Sequence, residues 1–410
     1  MKIKDFLNSD KLTFISLDEI DKEQCILAII NGEIINPFES GKKKDLLIFD
    51  EKIIAVDEIS EVPPCKNIAI IDAEGLLITP GLVDQHIHGG YGCDFNKSSR
   101  EEIKSFLENI AKNGVTSILA TIMTDDIDNI NRQISIIEKF NTEKNLKRTK
   151  IVGIHLEGPF LNPKYKGIHP ENQLLMPTVD NFKKIHSNFI KIVSFAPELD
   201  NNFELTKFLK ANNIIASAGH TDIDLNKTSK AIEAGLKQIT HTFNAMRPLH
   251  HREPGIIGKM LFDDNIYAEI IPDCIHVHPI ILEILLKVKS KDKIIFISDS
   301  IPLNNAPEKS IEFGGHQIFK KDDKAVNSSG TMAGSIMFLN EMYKKLQKEN
   351  ILSFSDFIGY SSLNPSINLC LFDKGLIKTD FTADIILWQQ KETLEVSKTI
   401  INGKIVYIKK

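Results

Sequence analysis

Several features that mark special classes of protein are scarce or missing in this sequence of 410 residues. Its 5 cysteines are widely spaced and include no Cys-x-x-Cys pair, which argues against a disulfide framework and a cysteine zinc site. Neither sign of charge dominates, because 50 Lys and Arg stand against 55 Asp and Glu, so no nucleic-acid partner is expected. No apolar run reaches the ~18 residues of a membrane span, and the first residues lack the apolar region of a signal peptide. We expect a cytoplasmic protein with reduced thiols and no membrane attachment.

Short β-branched runs separated by turn residues occupy both ends of the chain. The first group covers residues 26–78, and the second begins at residue 383. Two-residue alternation with Asn-Gly and Asp-Glu turns predicts β-hairpins. Because an isolated hairpin is only marginally stable in water, we expect both groups to complete one sheet module. Residues before about position 24 are polar and weakly patterned, and they predict a loosely packed extension.

Between these ends, apolar runs alternate with longer segments of helical period, which is the pattern of a parallel sheet covered by helices. Eight consecutive βα units predict a closed (β/α)8 TIM barrel, whose catalytic groups lie at the carboxyl ends of the strands. A doubly wound open sheet is the alternative, less favoured because no Gly-rich dinucleotide turn follows the first strand. The predicted strands are residues 81–88, 115–122, 151–157, 192–198, 214–220, 238–243, 267–273 and 293–299.

Polar side chains that bind metals or transfer protons close the predicted barrel strands. His86 and His88 are separated by one residue, so both imidazoles point to the same face of a strand and can bind one ion. A single histidine at a strand end is more often a hydrogen-bonded structural residue, but independent structural residues have no reason to gather at one end of a barrel. The set therefore predicts a site for zinc or a neighbouring first-row metal. Its members are His86, His88, Thr121, Glu157, Glu198, His220, His241, Asp273, His276 and Asp299.

Seven motifs resemble those of the amidohydrolase superfamily and, within it, of the N-acetylglucosamine-6-phosphate deacetylase family. The resemblance covers about residues 26–410. HLEGPF with KGIHP, and FNAM with REPG, are the most specific of these motifs, whereas His-x-His and Ser-Asp alone identify only the superfamily. The motifs are PGLVDQHIHG (80–89), HLEGPFLNPKYKGIHP (155–170), SAGHTD (217–222), THTFNAMRPLHHREPG (240–255), IHVHP (275–279), SDS (298–300) and TMAGS (331–335).

The resemblance implies both a fold and a reaction. The implied fold is a (β/α)8 barrel with a small β-sandwich built from both chain ends. The implied reaction is the metal-dependent hydrolysis of the N-acetyl group of N-acetyl-D-glucosamine 6-phosphate, which gives D-glucosamine 6-phosphate and acetate in amino-sugar catabolism. The implied divisions are residues 1–79 for the N-terminal part of the sandwich, with 1–24 as an extension, 80–380 for the barrel and 381–410 for the C-terminal part of the sandwich.

The resemblance also implies a set of metal ligands. Glu157, His220 and His241 match the residues that bind the principal divalent metal, for which Zn²⁺ is favoured and Mn²⁺, Co²⁺ and Fe²⁺ are alternatives. His86 and His88 look like the pair that binds a second ion in those members that keep it. One or two ions per chain are therefore implied, with Glu157 between the two ions in the second case.

Proton transfer and substrate binding are implied in the same way. Asp299 matches the catalytic acid and base of the family, and His276 is implied to stabilise the developing oxyanion together with the metal. Arg252 and His276 also look like the pair that reaches the phosphate of the neighbouring subunit's substrate, so a homodimer is implied. Cys274 departs from the glycine usual in the family, which leaves the shape of that loop open. The implied substrate contacts are Ile168, Asn244, Ala245, Arg252, Asp273, Cys274, Ile275, His276, Met332, Ala333 and Gly334.

Three alternative functions stay open at this point. The chain could catalyse another amidohydrolase reaction, such as cyclic amide hydrolysis or D-amino-acid deacylation, although many such enzymes bridge two metals with a carboxylated lysine where this chain has Glu157. N-acetylgalactosamine 6-phosphate could be the substrate, since the two epimers differ in one hydroxyl that no identified residue reads. An inactive barrel kept as a scaffold is the third alternative, but the candidate ligands and Asp299 are all present.

Overall fold

The structure is a computed structural model in which nearly the whole chain is described. Within that part of the chain, no helix combines the length and the apolar character needed to cross a membrane. The described residues are 1–8, 12–17, 19, 25–61, 65–143, 147–185 and 187–409.

Eight parallel strands form one sheet in which each strand pairs with the next along the chain. Their residues are almost all buried on both faces, as expected for parallel strands that helices cover. Backbone bonds just beyond strand 8 link it to strand 1, since Asp299 N donates to His86 O at 2.9 Å and His88 N donates to Ser300 O at 2.8 Å. The predicted (β/α)8 barrel is therefore confirmed. Barrel strands 1 to 8 are Leu82–Ile87, Val115–Met123, Lys150–Glu157, Ile190–Phe195, Ile215–Ala218, Leu236–Ile239, Tyr267–Ile270 and Ile294–Phe296.

Helices follow the barrel strands and cover the outside of the sheet. The helix after strand 1 begins where Ser99 Oγ accepts a hydrogen bond from Glu102 N while the Glu102 carboxylate accepts one from Ser99 N. Its apolar residues recur at spacings of three and four and are buried against the barrel. The α-helices are Ile3–Leu7, Arg100–Ile110, Ile127–Asn141, Val179–Phe182, Glu204–Ala211, Leu225–Ala234, Gly255–Phe262, Pro279–Val288, Leu339–Lys348, Phe354–Ile358 and Asn364–Asn368, and a π-helical turn covers Gly359–Leu363.

The ends of the chain form two further sheets, the first from N-terminal strands alone and the second from strands of both ends. Strand Ile385–Gln390 pairs antiparallel with strand Leu76–Pro80, and Trp388 Nε1 donates to Thr79 Oγ1 at 2.8 Å. The expectation that both chain ends complete one sheet module is therefore confirmed. The first sheet contains Thr13–Phe14, Asn67–Asp72, Ile26–Ile30, Leu46–Phe49 and Lys52–Val56, and the second contains Lys404–Ile408, Leu394–Ile401, Ile385–Gln390, Leu76–Pro80, Glu33–Ile34 and Lys42–Lys43.

The N-terminal segment is packed more closely than its polar sequence predicts. Ile3 and Phe6 of the first helix are buried in a cluster with apolar residues of the first end sheet. Strand Thr13–Phe14 pairs in parallel with the strand that begins at Asn67. The prediction of a loosely packed extension is therefore wrong for these residues, because two apolar side chains one helical turn apart suffice to anchor a short helix. Residues 9–11, 18 and 20–24 of the extension lie outside the described part of the chain.

A small antiparallel sheet after barrel strand 8 was not expected from the sequence. Its strands are Ser310–Phe313, His316–Lys321 and Lys324–Asn327, and we call it the flap. The flap carries its own apolar cluster, which includes Phe313, Ile318 and Ile168 from the loop after strand 3. It therefore packs on the end of the barrel where the candidate ligands lie. A second short hairpin, Gly89–Gly90 with Cys93–Asp94, follows strand 1.

Candidate active site

Glu157, the last residue of barrel strand 3, lies at the centre of the candidate ligands. Its Oε1 atom is 3.3 Å from His220 Nε2 and 3.1 Å from His241 Nε2. Its Oε2 atom is 3.1 Å from His88 Nε2, and His86 Nε2 is 3.5 Å from Oε1. All five side chains are buried. The structure thus brings together every residue for which a metal-binding role is predicted.

Asp299, which follows strand 8, lies close to the histidine pair that strand 1 contributes. Its Oδ1 atom is 3.4 Å from His86 Nε2 and 3.3 Å from His88 Nε2. Each imidazole therefore lies within 3.5 Å of both the Glu157 and the Asp299 carboxylates. The two rings share one face of the strand, as their one-residue spacing predicts. The candidate proton-transfer group and the candidate ligands form one cluster.

Several of these residues lie in loops, so the predicted strands extend too far. His220, His241 and Asp299 follow the ends of strands 5, 6 and 8 by two or three residues, and their φ angles are +50°, +30° and +48°. This left-handed backbone is unfavourable for residues with a Cβ and is found mainly where the surrounding structure imposes it. Regular strand hydrogen bonding therefore ends before these three residues, which lie in irregular turns at the mouth of the barrel, whereas His86 and Glu157 lie on strands 1 and 3.

Two members of the strand-end set lie outside the cluster. Thr121 Oγ1 accepts a hydrogen bond from Ile87 N at 2.9 Å. Glu198 lies in a 3₁₀ turn, where its Oε1 atom accepts bonds of 2.7 Å from Asn162 Nδ2 and from Asp222 N. Neither side chain is available to the cluster, because both are committed to fixing loops.

Hydrogen bonding fixes the ring orientation of His220. Its Nδ1 atom lies 2.8 Å from the carbonyl oxygen of Tyr165, which can only accept, so Nδ1 carries the proton and donates. The lone pair of His220 Nε2 then points towards Glu157 and towards His241 Nε2, 3.1 Å away. This arrangement is typical of a metal-binding histidine, whose second nitrogen donates to a carbonyl or carboxylate.

The electrostatics of the cluster also fit a bound cation. Burial lowers the pKa of His88, but the Asp299 and Glu157 carboxylates outweigh burial and raise it to about 9. Burial raises the pKa of Asp299, but the charges of His86 and His88 outweigh it and hold that pKa at about 2. The Glu157 carboxyl, although buried, has a pKa well below its usual range because of His86 and the other histidines. The carboxylates thus require nearby positive charge, which protons on histidine or a cation can provide.

The donor atoms themselves suit a divalent metal. His86 Nε2 is buried without a hydrogen bond, although it faces both carboxylates. Among the described residues, two groups at this site have ligand atoms close enough to share an ion: His86 with His88 and Asp299, and Glu157 with His169 and His220. Imidazole nitrogen and carboxylate oxygen are ligands of zinc and its first-row neighbours. The residues present therefore fit one or two such ions.

A cavity of about 370 Å³ opens above the cluster. It is bounded by the ligands, by the loop after strand 3, by Phe313 of the flap and by the segment that follows the flap. Its size is that of a site for a small molecule. Of the predicted substrate contacts, those that line it are Ile168, Asn244, Ala245, His276, Met332, Ala333 and Gly334.

The remaining predicted contacts do not line the cavity of a single chain. Asp273 is buried and accepts hydrogen bonds from His276 Nδ1 at 2.7 Å and from Ile275 N at 2.9 Å, so it positions its neighbours. Cys274, with φ of +60°, packs against the main core cluster. Arg252 is exposed and forms no ion pair with any residue in the described part of the chain. Direct contact of these four residues with a substrate therefore stays a prediction.

Sequence patterns gave no role to three residues that the structure places beside the ligands. His169 Nε2 lies 3.5 Å from Glu157 Oε2, and burial lowers the pKa of His169 to about 4. The Phe313 ring lies 5.4 Å from the His88 ring. Glu269, on barrel strand 7, lies 3.4 Å from His86 Nδ1. A signal for Glu269 was available, since a charged residue inside an otherwise apolar strand is rarely buried without a partner.

Comparison with known proteins supports the same chemistry. A family model described as "Amidohydrolase family" matches residues 77–406. The chain is 37% identical over 390 residues to an N-acetylglucosamine-6-phosphate deacetylase of Bacillus subtilis, a match that covers 94% of this chain and 98% of that protein. It is 26% identical over 324 residues to an N-acetylgalactosamine-6-phosphate deacetylase of Escherichia coli O157:H7, covering 78% of this chain and 84% of that protein.

Solved structures agree with the sequence matches. The crystal structure of an N-acetylglucosamine-6-phosphate deacetylase from Thermotoga maritima superimposes with a TM-score of 0.82 at 29% identity. That match covers 93% of this chain and 100% of the other chain. The similarity therefore extends over most of the length of both chains.

Proposed function

The chain belongs to the amidohydrolase family, and we propose that it hydrolyses the N-acetyl group of N-acetyl-D-glucosamine 6-phosphate to D-glucosamine 6-phosphate and acetate. The observation that carries this proposal is the cluster of four histidines, Glu157 and Asp299 beneath a cavity large enough for a sugar phosphate. The full-length similarity to N-acetylglucosamine-6-phosphate deacetylases supports the choice of substrate.

We propose that the five clustered side chains bind the divalent metal on which amidohydrolases generally depend. Glu157, His220 and His241 would hold the principal ion, for which Zn²⁺ is favoured and Mn²⁺, Co²⁺ and Fe²⁺ are alternatives. His86 and His88 would hold a second ion beside Asp299. The short distances from Glu157 to both groups of histidines support a shared carboxylate, with one or two ions per chain.

The proposed chemistry divides between the ion and the side chains. When bound, a divalent cation lowers the pKa of a coordinated water and polarises an acyl oxygen. Asp299 accepts the proton of the attacking water and returns it to the departing amine, a two-way transfer that one held carboxylate can perform. Asp299 lines the same cavity as Glu157, His220 and His241, so its carboxylate is placed beside the proposed ligands.

His276 is proposed to donate a hydrogen bond to the acetyl oxygen as negative charge develops there. Its Nε2 atom is buried without a hydrogen-bond partner, while Nδ1 donates to Asp273. Burial lowers the pKa of His276, but the hydrogen bond and the charge of Asp273 outweigh burial and raise it, which favours the imidazolium form that carries a proton on Nε2 as well. The motif comparison also implied a role at the phosphate of the neighbouring subunit. We favour the oxyanion role because His276 lines the same cavity as Asp299 and Glu157.

We propose a homodimer in which Arg252 binds the phosphate of the partner's substrate. Arg252 is exposed, lies outside the cavity of its own chain and forms no ion pair within the described residues. The helices nearby carry large exposed apolar side chains, which a second copy of the chain would cover. These are Leu249, Phe262, Ile280, Ile284 and Val288.

An acetate-release assay tests the proposed function. The protein should act on N-acetylglucosamine 6-phosphate with a higher kcat/KM than on its galactosamine epimer, on unphosphorylated N-acetylglucosamine, on cyclic amides and on N-acyl-D-amino acids. Higher activity on the epimer would identify an N-acetylgalactosamine-6-phosphate deacetylase instead. The similarity to the E. coli enzyme of that name is the reason for testing this alternative. No acetate release from any substrate by metal-loaded protein would favour an inactive scaffold.

A further inference from the structure

Glu269 is a buried carboxylate inside the barrel, below the proposed metal ligands. It lies on barrel strand 7, is 0% exposed and forms no ion pair with Lys or Arg in the described part of the chain. Its Oε1 atom accepts hydrogen bonds from Gln85 Nε2 at 2.6 Å and from Gln238 Nε2 at 2.8 Å. Its Oε2 atom lies 3.4 Å from His86 Nδ1. A charge buried in this way is costly unless a cation lies nearby.

A ring of amides holds this carboxylate in place. Asn368 Nδ2 donates to Gln85 Oε1 at 3.1 Å and to Gln238 Oε1 at 2.7 Å. Gln85 Nε2 also donates to Gln238 Oε1 at 3.0 Å. With both amide oxygens engaged by N–H donors, the two glutamines present N–H groups to Glu269. The ring thus directs two N–H donors at Oε1 and leaves Oε2 for His86.

His86, His155 and Glu269 are close enough to share an ion. We do not assign this group as a metal site separate from the proposed ligand cluster. His155 Nδ1 lies 3.2 Å from the backbone oxygen of Gln85, and His155 Nε2 lies 2.7 Å from Ser194 Oγ. Both nitrogens of His155 are therefore engaged in hydrogen bonds. The Oε1 atom of Glu269 is likewise engaged by two amides.

We propose that Glu269 is a positioning residue that fixes His86 as a metal ligand and that its buried negative charge increases the affinity of the site for a divalent cation. An ionised carboxylate can only accept, so His86 Nδ1 donates the proton and His86 Nε2 keeps a lone pair. That Nε2 atom is buried without a hydrogen bond and faces Glu157 and Asp299. Partners of this kind change metal affinity by about 10- to 100-fold when they are removed.

The inference rests on the proposed function, because it takes His86 to be a ligand. Glu269→Gln is the direct test, since an amide can turn its N–H towards His86 Nδ1 and reverse the tautomer. The variant should lose about 10- to 100-fold in Zn²⁺ affinity, measured by competition with a chromogenic chelator. Its Co²⁺-loaded form should show a changed visible absorption spectrum, which a purely structural role of Glu269 would not produce. Glu269→Asp, which keeps the charge, should lose less affinity.

Asp84→Asn is the matched control. Asp84 is also a buried carboxylate close to His86 in sequence, but its Oδ1 atom accepts from the backbone N–H groups of His86 and Ser298 and contacts no imidazole. The Zn²⁺ affinity of the Asp84→Asn variant should stay close to that of the unmodified protein, even if the variant is less stable.

Asn368→Ala covers the case in which Glu269→Gln does not fold. It removes the amide that orients both glutamines without touching Glu269, and it should weaken Zn²⁺ binding in the same direction but less. Unchanged affinity in Glu269→Gln, or in both Asn368→Ala and Glu269→Asp, would overturn the inference. Failure of the unmodified protein to bind Zn²⁺, Mn²⁺ or Co²⁺ would instead contradict the proposed metal site, so the two failures are distinguishable.

Discussion

At the scale of single residues, Asp299 is the group proposed to move a proton between the attacking water and the leaving amine, and no part in holding the substrate is proposed for it. Asp299→Asn preserves its size and removes its basicity, so we expect kcat to fall by about 10²-fold or more while KM changes much less. Steady-state kinetics with N-acetylglucosamine 6-phosphate measures both constants.

Glu198→Gln is the control for this substitution. Glu198 is also a carboxylate near the mouth of the barrel, but it fixes a loop and does not contact the ligand cluster. The kcat of the Glu198→Gln variant should remain near that of the unmodified protein. If Asp299→Asn kept near-normal kcat, another group would have to carry the proton.

His86→Ala addresses the number of metal ions at the level of a single residue. His86 faces both the Glu157 and the Asp299 carboxylates, whereas of these two carboxylates His220 and His241 contact only Glu157. If two ions bind, removal of the His86 ring should release one per chain and leave the other, as measured by elemental analysis. An unchanged metal content with normal affinity would mean that a single ion binds at Glu157, His220 and His241.

At the scale of elements, the segment after the flap supports Asp299 through its backbone. Ser335 N donates to Asp299 O at 2.8 Å, and a Cβ added at Gly334 would lie 2.7 Å from that same oxygen. Gly334 also has a φ of +71°, which residues with a side chain rarely adopt. Gly334→Ala should therefore lower kcat by displacing Asp299, and it should lower the free energy of unfolding by about 1–2 kcal/mol or more.

Gly330→Ala separates the effect of the left-handed backbone from the effect of the contact with Asp299. Gly330 has a φ of +85°, but nothing lies within 4 Å of the Cβ that alanine would add. The Gly330→Ala variant should show a similar decrease in the free energy of unfolding, measured by thermal or denaturant unfolding, with little change in kcat. Equal kinetic effects of the two substitutions would show that the contact with Asp299 does not matter for catalysis.

At the scale of the whole molecule, metal at the mouth of the barrel would join side chains from the ends of four different strands, which are strands 1, 3, 5 and 6. Removal of the metal with a chelator should therefore abolish acetate release and lower the melting temperature, because a ligand that binds only the folded state stabilises it. Addition of Zn²⁺, Mn²⁺ or Co²⁺ should restore both properties. Full activity in protein that elemental analysis shows to be metal-free would contradict metal dependence.

The proposed dimer makes a distinct prediction about Arg252. Arg252→Ala should lower kcat/KM for the 6-phosphate by about 10- to 100-fold, since each charge-assisted hydrogen bond contributes roughly 1.5–3 kcal/mol, and it should scarcely affect unphosphorylated N-acetylglucosamine. In mixed dimers of Arg252→Ala and Asp299→Asn chains, one site combines an intact Asp299 with the partner's intact arginine. Mixing the chains should therefore regenerate activity. If dimers that have been shown to exchange subunits regain no activity, Arg252 acts in the site of its own chain.

The sequence by itself determined the architecture and most of the proposed ligands. Alternating strand and helix periods predicted the barrel, because periodicity is a local property that burial imposes on each element. The one-residue spacing of His86 and His88 was enough to place both rings on one face of a strand. Motifs around Glu157, His220 and His241 were specific enough to identify the amidohydrolase family, whose model matches the chain.

Only the tertiary structure decided which distant side chains meet. Gln85 and Asn368 are 283 residues apart in sequence, yet their hydrogen bond belongs to the ring that holds Glu269 against His86. The left-handed turn at His241 and the burial of Phe6 likewise depend on neighbours that no local pattern encodes. Local periodicity records which face of an element is buried, but the partner of a buried polar group is set by the packing of the closed barrel.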